Sequence, residues 1–176
     1  MHSRGSVCSK SKLADTNSNV TVSQVIEQLP RTSILHLACH GHQDIASPLN
    51  SGFVLEDGLL TVRKLFETQI PHAQLAFLSA CSTATGDQNL PDEPIHLGTT
   101  MLFAGFPSVI ATLWPMGDSD GPDIASDVHT SLCNRSLHTW CLSGDSIAYA
   151  LDEAVRNLIE RDVKPSRWAT YIHMGC

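Results

Sequence analysis

The sequence predicts an α/β fold, a mostly parallel sheet flanked by helices. Three short apolar runs, Ile34 to Ala38, Leu75 to Ala80 and Val109 to Leu113, are bounded by turn residues and have the length of buried strands. Between and after them, apolar residues recur at helical spacing, and strands that alternate with helices pack as parallel neighbours. Two of the runs also lead straight into reactive side chains: Ile34-Leu35-His36-Leu37-Ala38 into Cys39-His40-Gly41-His42, and Leu75 to Ala80 into Cys81. Open α/β sheets bind their ligands beyond the carboxyl ends of the strands, so these are positions a substrate reaches.

Taken in order, residues 1–20 are rich in Ser, Lys, Asn and Asp and are expected to be a loose polar lead-in, with one domain over 21–176. Thr21 and Gln24 form a capping box for a helix carrying Val22, Val25, Ile26 and Leu29, which Pro30 stops. Beyond the first strand and an HG turn, 43–52 has loop composition. Phe53-Val54-Leu55 before Asp57-Gly58 then predicts a small hairpin. Thr61 caps a helix with Val62, Leu65 and Phe66 inward, ending near Pro71. From Thr83 to Pro94 the chain is Gly, Asp, Asn and Pro, a mobile loop that would cover the site.

Ile95 to Phe103 reads as a buried helix stopped at Gly105. Pro122 suits a first helical turn, with Ile124, Val128 and Leu132 on the inner face, and 133–144 is a polar interruption. Asp145 is a cap for the clearest helix, in which Ile147, Leu151, Ala154, Val155, Leu158 and Ile159 make one stripe and Asp152 pairs with Arg156. Trp168 to His173 reads as a final strand.

Composition narrows the function. At 176 residues with 42% apolar side chains the chain has material for one core, and a net charge of -7 offers no basic footprint for nucleic acid or an anionic membrane. The run Met101 to Trp114 is too short and too interrupted to span a bilayer. The N-terminus has no secretory h-region, so a cytoplasmic location with reduced thiols is expected for the six cysteines. None of them forms a C-x-x-C, and a zinc set drawn from Cys39, His40, His42 and Cys81 lacks structural-site spacing, so no metal is expected.

A cysteine attacks a carbonyl at neutral pH only as thiolate or beside a base, and a histidine on an adjacent loop is the usual base. His40 and Cys81 meet that need. Their separation, 81 - 40 = 41 residues, leaves room for a hairpin and a crossover helix, and is close to the His-first order of about 50 residues in caspases. Gly41 allows close backbone approach, so its N–H and that of Cys81 would form an oxyanion hole. His42 lacks the adjoining glycine, and His36, inside the strand, reads as a satisfied core or partner-facing histidine. A lone cysteine after an apolar strand is also commonly a small core residue, and the residues alone leave that reading open.

The runs HLACHG at 36–41, PLNSGFVLEDGLLT at 48–61, LSACST at 78–83, GTTMLFAGFPSVIATLWPMGD at 98–118 and WATYIHMG at 168–175 together resemble the CHAT domain over about residues 20–176. That family belongs with the caspase and separase cysteine peptidases. The resemblance implies a caspase-like fold, a His40–Cys81 dyad, endopeptidase activity on protein substrates without a cofactor, and regulatory partners such as TPR repeats or nucleotide-switch modules. The alternative is a latent or inactive signalling and scaffold domain.

Relatives carry further strands upstream of the His motif. With a polar lead-in here, the expectation is a sheet lacking part of its N-terminal side, with an apolar strand edge exposed. The segment 133–144 lies outside the shared pattern. Trp114 to Asp118 follows the third strand, and separases, which this stretch resembles, accept a basic residue before the scissile bond. Asp118 and Asp120 are therefore candidate substrate-binding residues, against the plainer reading of Asp120 as a helix cap and Asp118 as a turn residue.

Overall fold

The computed structural model describes residues 4–9, 12–13, 20–42, 44, 46–79, 93–114, 120–136 and 142–176; side chains are described from residue 20 onward, except at 93–96, 135 and 136. Its main sheet has the strand order β2-β1-β3-β7-β8-β9. At its centre β3 (Thr32–Ala38), β7 (Leu75–Leu78) and β8 (Ser108–Thr112) run parallel. Every residue of β7 and β8 is buried, because helices cover both faces, which is why these strands read as unbroken apolar runs.

The outer strands differ from the sequence expectation. On one side β1 (Arg4–Ser9) pairs antiparallel with β3, from Arg4 opposite Ala38 to Ser9 opposite Thr32, and β2 (Lys12–Leu13) folds back on β1. The lead-in is thus partly sheet, and the apolar edge expected at β3 is covered. A ladder bonds through the backbone, so a polar segment joins it without announcing itself in composition. On the other side β9 (Tyr171–Gly175) is antiparallel to β8, while Trp168, expected in that strand, closes the short helix α6 (Pro165–Trp168). Proline at the first helical position favours that turn.

One face of the sheet packs Leu35, Leu37, Ala76, Leu78, Val109 and Ala111 with Val22, Val25 and Leu29. Those last three belong to α1 (Val22–Gln28) and the 3-10 turn that extends it at Pro30; α3 (Glu93–Phe103) lies on the same side and contributes Met101. Helix α1 has the expected capping box: Thr21 Oγ1 accepts from the Gln24 N–H while Gln24 Oε1 accepts from the Thr21 N–H. Such a box stabilises a helix by about 1 kcal/mol. Gly105, at φ +108°, ends the α3 segment in a backbone conformation that glycine tolerates best.

The opposite face packs Leu75, Phe77, Ile110 and Tyr171 under α4 (Asp120–Ser136) and α5 (Gly144–Glu160). Ile124, Val128 and Leu132 are buried as the spacing requires, but α4 continues to Ser136 through the start of the expected interruption. Ser143, two residues earlier than read, caps α5, and Asp145 lies in its first turn where a carboxylate favours the helix dipole. Ile159 is 47% exposed at the edge of the stripe. The exposed Arg156 Nε donates to Asp152 at 2.7 Å.

A second, three-stranded sheet is built from β4 (His40–His42), β5 (Gly52–Leu55) and β6 (Gly58–Thr61). The Asp57-Gly58 hairpin is as expected, with Gly58 at φ +145°. Thr61 caps α2 (Val62–Glu67), whose Val62 and Leu65 are buried. Phe66 is instead 47% exposed, since a helix of six residues seats only the face its first buried pair defines.

Candidate active site

His40 is held by a strand, where the sequence reading expected a turn. Strand β4 pairs antiparallel with β5, His40 opposite Val54, Gly41 opposite Phe53 and His42 opposite Gly52. The hairpin behind it is anchored at both ends. Asp57 Oδ1 accepts from the Val22 N–H at 2.7 Å, Val20 O accepts from the Glu56 N–H at 3.3 Å, and Ser51 O accepts from the Val62 N–H at 2.8 Å. Three residues carry too little periodicity to read as a strand, so this support was invisible in the sequence.

Gly52 is where that support is tightest. A Cβ there would lie 2.1 Å from Leu60 O and 2.8 Å from Thr61 Cα, both backbone atoms that yield only if the strands part. Gly52→Ala is expected to destabilise by about 1–3 kcal/mol through overpacking, read as a lower urea midpoint with the slope unchanged. A midpoint at the unaltered value would show that β5 and β6 have slack at this point.

His40 itself is half-buried, and its Nδ1 is fully buried with no hydrogen-bond partner among the described residues. A buried polar atom left unpaired costs about 1–3 kcal/mol, and native folds keep very few of them. Gly41 is roofed by α3, where an added Cβ would come within 2.8 Å of Leu97 Cδ1. His42 is exposed. Cys39 packs in the core, and burial pushes its thiol up to about 12, so it holds no thiolate at neutral pH. Among the described residues no group of three or more His, Cys, Asp or Glu side chains is placed to hold a metal ion.

The parallel register aligns the strand ends. Ile34 to Leu37 lie opposite Leu75 to Leu78, a constant offset of 78 - 37 = 41 residues, and the Ser79 N–H continues the ladder to Leu37 O at 2.9 Å. The same offset separates His40 from Cys81 in sequence, 81 - 40 = 41. Cys81, Asp118 and residues 83–92 of the expected covering loop lie outside the described residues.

His36 is the core histidine expected, packed edge-on against Phe77 with ring centroids 4.7 Å apart. Burial first, then the neighbouring His129 of α4, lower its pKa to about 3. Its Nε2 lies 3.2 Å from Ser79 Oγ. Neither Ser79 nor His129 stood out in the sequence.

Asp120 opens α4 and is buried. Arg167 of α6 engages it with both prongs of its guanidinium, Nε donating to Oδ2 at 2.6 Å and a second nitrogen donating to Oδ1. Burial, with Asp120 nearby, raises the pKa of the Tyr171 phenol. The segment after β8 is tied to the same corner: the Trp114 N–H donates to Thr170 Oγ1 at 3.0 Å and its indole N–H to Ser166 O at 2.8 Å. No local signal marked Arg167, because its partner lies 47 residues away.

A sheet with a three-strand parallel centre, helices on both faces and a histidine presented beyond the first central strand define a caspase-like α/β domain. This chain belongs to the CHAT family, whose domain model matches residues 5–176, and the family is related to the caspase- and separase-like peptidases. The match begins within β1, in keeping with that strand's place in the sheet. A comparison with curated proteins finds no match.

Proposed function

We propose that the chain is a cysteine endopeptidase acting on protein substrates, with Cys81 as nucleophile and His40 as general base and then acid. The observation that carries this reading is the buried Nδ1 of His40, unpartnered among the described residues, beyond the carboxyl end of β3. In the proposed cycle His40 takes the Cys81 proton and the thiolate attacks the scissile carbonyl. The Gly41 and Cys81 N–H groups stabilise the oxyanion, and His40 protonates the leaving amine as the peptide bond breaks. His40 then takes a proton from water, whose oxygen attacks the thioester, and returns it to the departing Cys81 sulfur. The steps use only side chains, backbone donors and water, so no cofactor is invoked.

The test is direct: a peptide bearing an electrophilic carbonyl or acyloxymethyl ketone should add its mass at Cys81, found by peptide mapping. Labelling only at another cysteine, or none, would refute the reading.

We further propose that a partner module, of TPR or nucleotide-switch type, regulates the chain, and that it acts in the cytoplasm. No helix among the described residues is long and apolar enough to cross a membrane. One observation favours a second reading, a latent signalling domain: an arginine of the chain itself already sits on Asp120. In that case labelling of Cys81 would appear only once a partner is added.

The same pair bears on specificity. We propose an acidic pocket for the residue before the scissile bond, formed with Asp118 and Asp120. Both Asp120 oxygens are engaged by Arg167, so Asp118 is the carboxylate left for a substrate arginine. The expected result is faster cleavage after Arg than after Ala, Leu or Asp. Asp118→Asn should weaken that preference, and Arg167→Gln, which takes the guanidinium off Asp120, should strengthen it. A preference for apolar or acidic residues in all three proteins would exclude the acidic pocket and leave the dyad untouched.

A further inference from the structure

The two strands that lead to His40 and Cys81 are joined by side chains as well as by backbone. His36, four residues before His40, is partly buried and Ser79, two before Cys81, is buried, with Nε2 and Oγ 3.2 Å apart. The tie stands beside the last main-chain bond between these strands among the described residues, from the Ser79 N–H to Leu37 O at 2.9 Å. Phe77 from β7 and His129 from α4 close round the imidazole, with ring centroids at 4.7 and 5.6 Å.

Core stability alone gives no reason for this pair. When both members of a buried hydrogen bond are replaced by apolar groups of similar shape, stability is often unchanged or raised. What the pair adds is a directional link at one point of the sheet, at the end of the two strands that precede His40 and Cys81 in the sequence.

We infer that His36, acting through Ser79, is a positioning residue for the dyad, holding the carboxyl end of β7 at the separation from β3 that proton transfer between Cys81 and His40 requires. This rests on the proposed function. Displacement of about 1 Å at a reacting centre lowers rates about 100-fold, so a tie two residues from the nucleophile has leverage.

The experiment measures the rate of Cys81 acylation by the peptide probe across probe concentrations, alongside thermal melting, for the unaltered chain and three variants. Ser79→Ala is expected to slow the limiting rate about 10- to 100-fold with the half-saturating concentration unchanged. His36→Gln, which keeps an N–H donor close to the position of Nε2, should retain most of the rate. The double variant His36→Leu with Ser79→Ala should be no slower than Ser79→Ala alone, yet melt at or above the temperature of the unaltered chain.

That split between rate and stability is not what a merely structural pair produces. Labelling of Ser79→Ala at the unaltered rate, a His36→Gln rate as low as that of Ser79→Ala, or rate losses that track melting would each overturn the inference while leaving the dyad in place. Labelling of the unaltered chain only at a cysteine other than Cys81 would overturn the dyad and this inference together.

Discussion

Cys81→Ala is expected to abolish covalent labelling by a peptide electrophile, and His40→Ala to slow it by about 100-fold or more, the usual worth of a positioned acid–base. The second effect has a structural basis. His40 Nδ1 is buried without a hydrogen-bond partner among the described residues, so alanine there removes an atom whose desolvation no described contact offsets. The variant should therefore fold normally and lose only reactivity, which circular dichroism beside the labelling rate can separate. Cys39→Ala and His42→Ala serve as controls. The Cys39 thiol is held near 12 by burial, and His42 is exposed at the far end of β4, so neither change should alter the rate more than a few-fold. A folded His40→Ala protein labelled at full rate would remove His40 from the chemistry.

Acid should unfold the chain earlier than its carboxylates alone would require. Burial, followed by the neighbouring His129, lowers the pKa of His36 to about 3, whereas in the unfolded chain the group titrates at its ordinary value of 6.5. Above 6.5 both states carry a neutral imidazole and the full stability is present. Below it the unfolded chain binds a proton that the native core refuses, so stability falls as pH drops from 6.5 toward 3. At about 1.4 kcal/mol per pH unit the whole window amounts to at most about 5 kcal/mol, a large part of the margin of an ordinary domain. Burial lowers His129 in the same direction and adds to the loss.

Among the described residues, the groups in contact with His36 are Ser79 and Phe77 from β7 and His129 from α4, none of them an acid that would hold its proton. Urea midpoints between pH 7 and 5, where carboxylates stay ionised, should fall by an amount equivalent to about 2 kcal/mol. His36→Leu should flatten that slope. An equally steep slope in the variant would assign the acid sensitivity to other histidines, among them His173, whose pKa burial also lowers.

The sequence by itself determined the elements whose chemistry is local. Three apolar runs became β3, β7 and β8 because strands covered on both faces are built mostly of apolar side chains. The Thr21 and Gln24 capping box, the Asp57-Gly58 hairpin and the Asp152–Arg156 pair were legible because each is made within a few residues of chain. His40 was singled out by its place after a buried strand and before Gly41. The constant offset of β3 on β7 equals the spacing of His40 and Cys81 in the sequence.

Tertiary structure alone decided the features made between distant segments. Strand β1 joins the sheet through backbone bonds, which leave no trace in hydrophobic pattern, and β4 is a strand only because β5 lies beside it. The pairing of Arg167 with Asp120, and the meeting of His36 with Ser79 and His129, bring together residues 47, 43 and 93 positions apart. Which face of a strand a polar side chain takes, and what it finds there, depends on the helix laid over that face. A single chain read end to end carries no local mark of that packing.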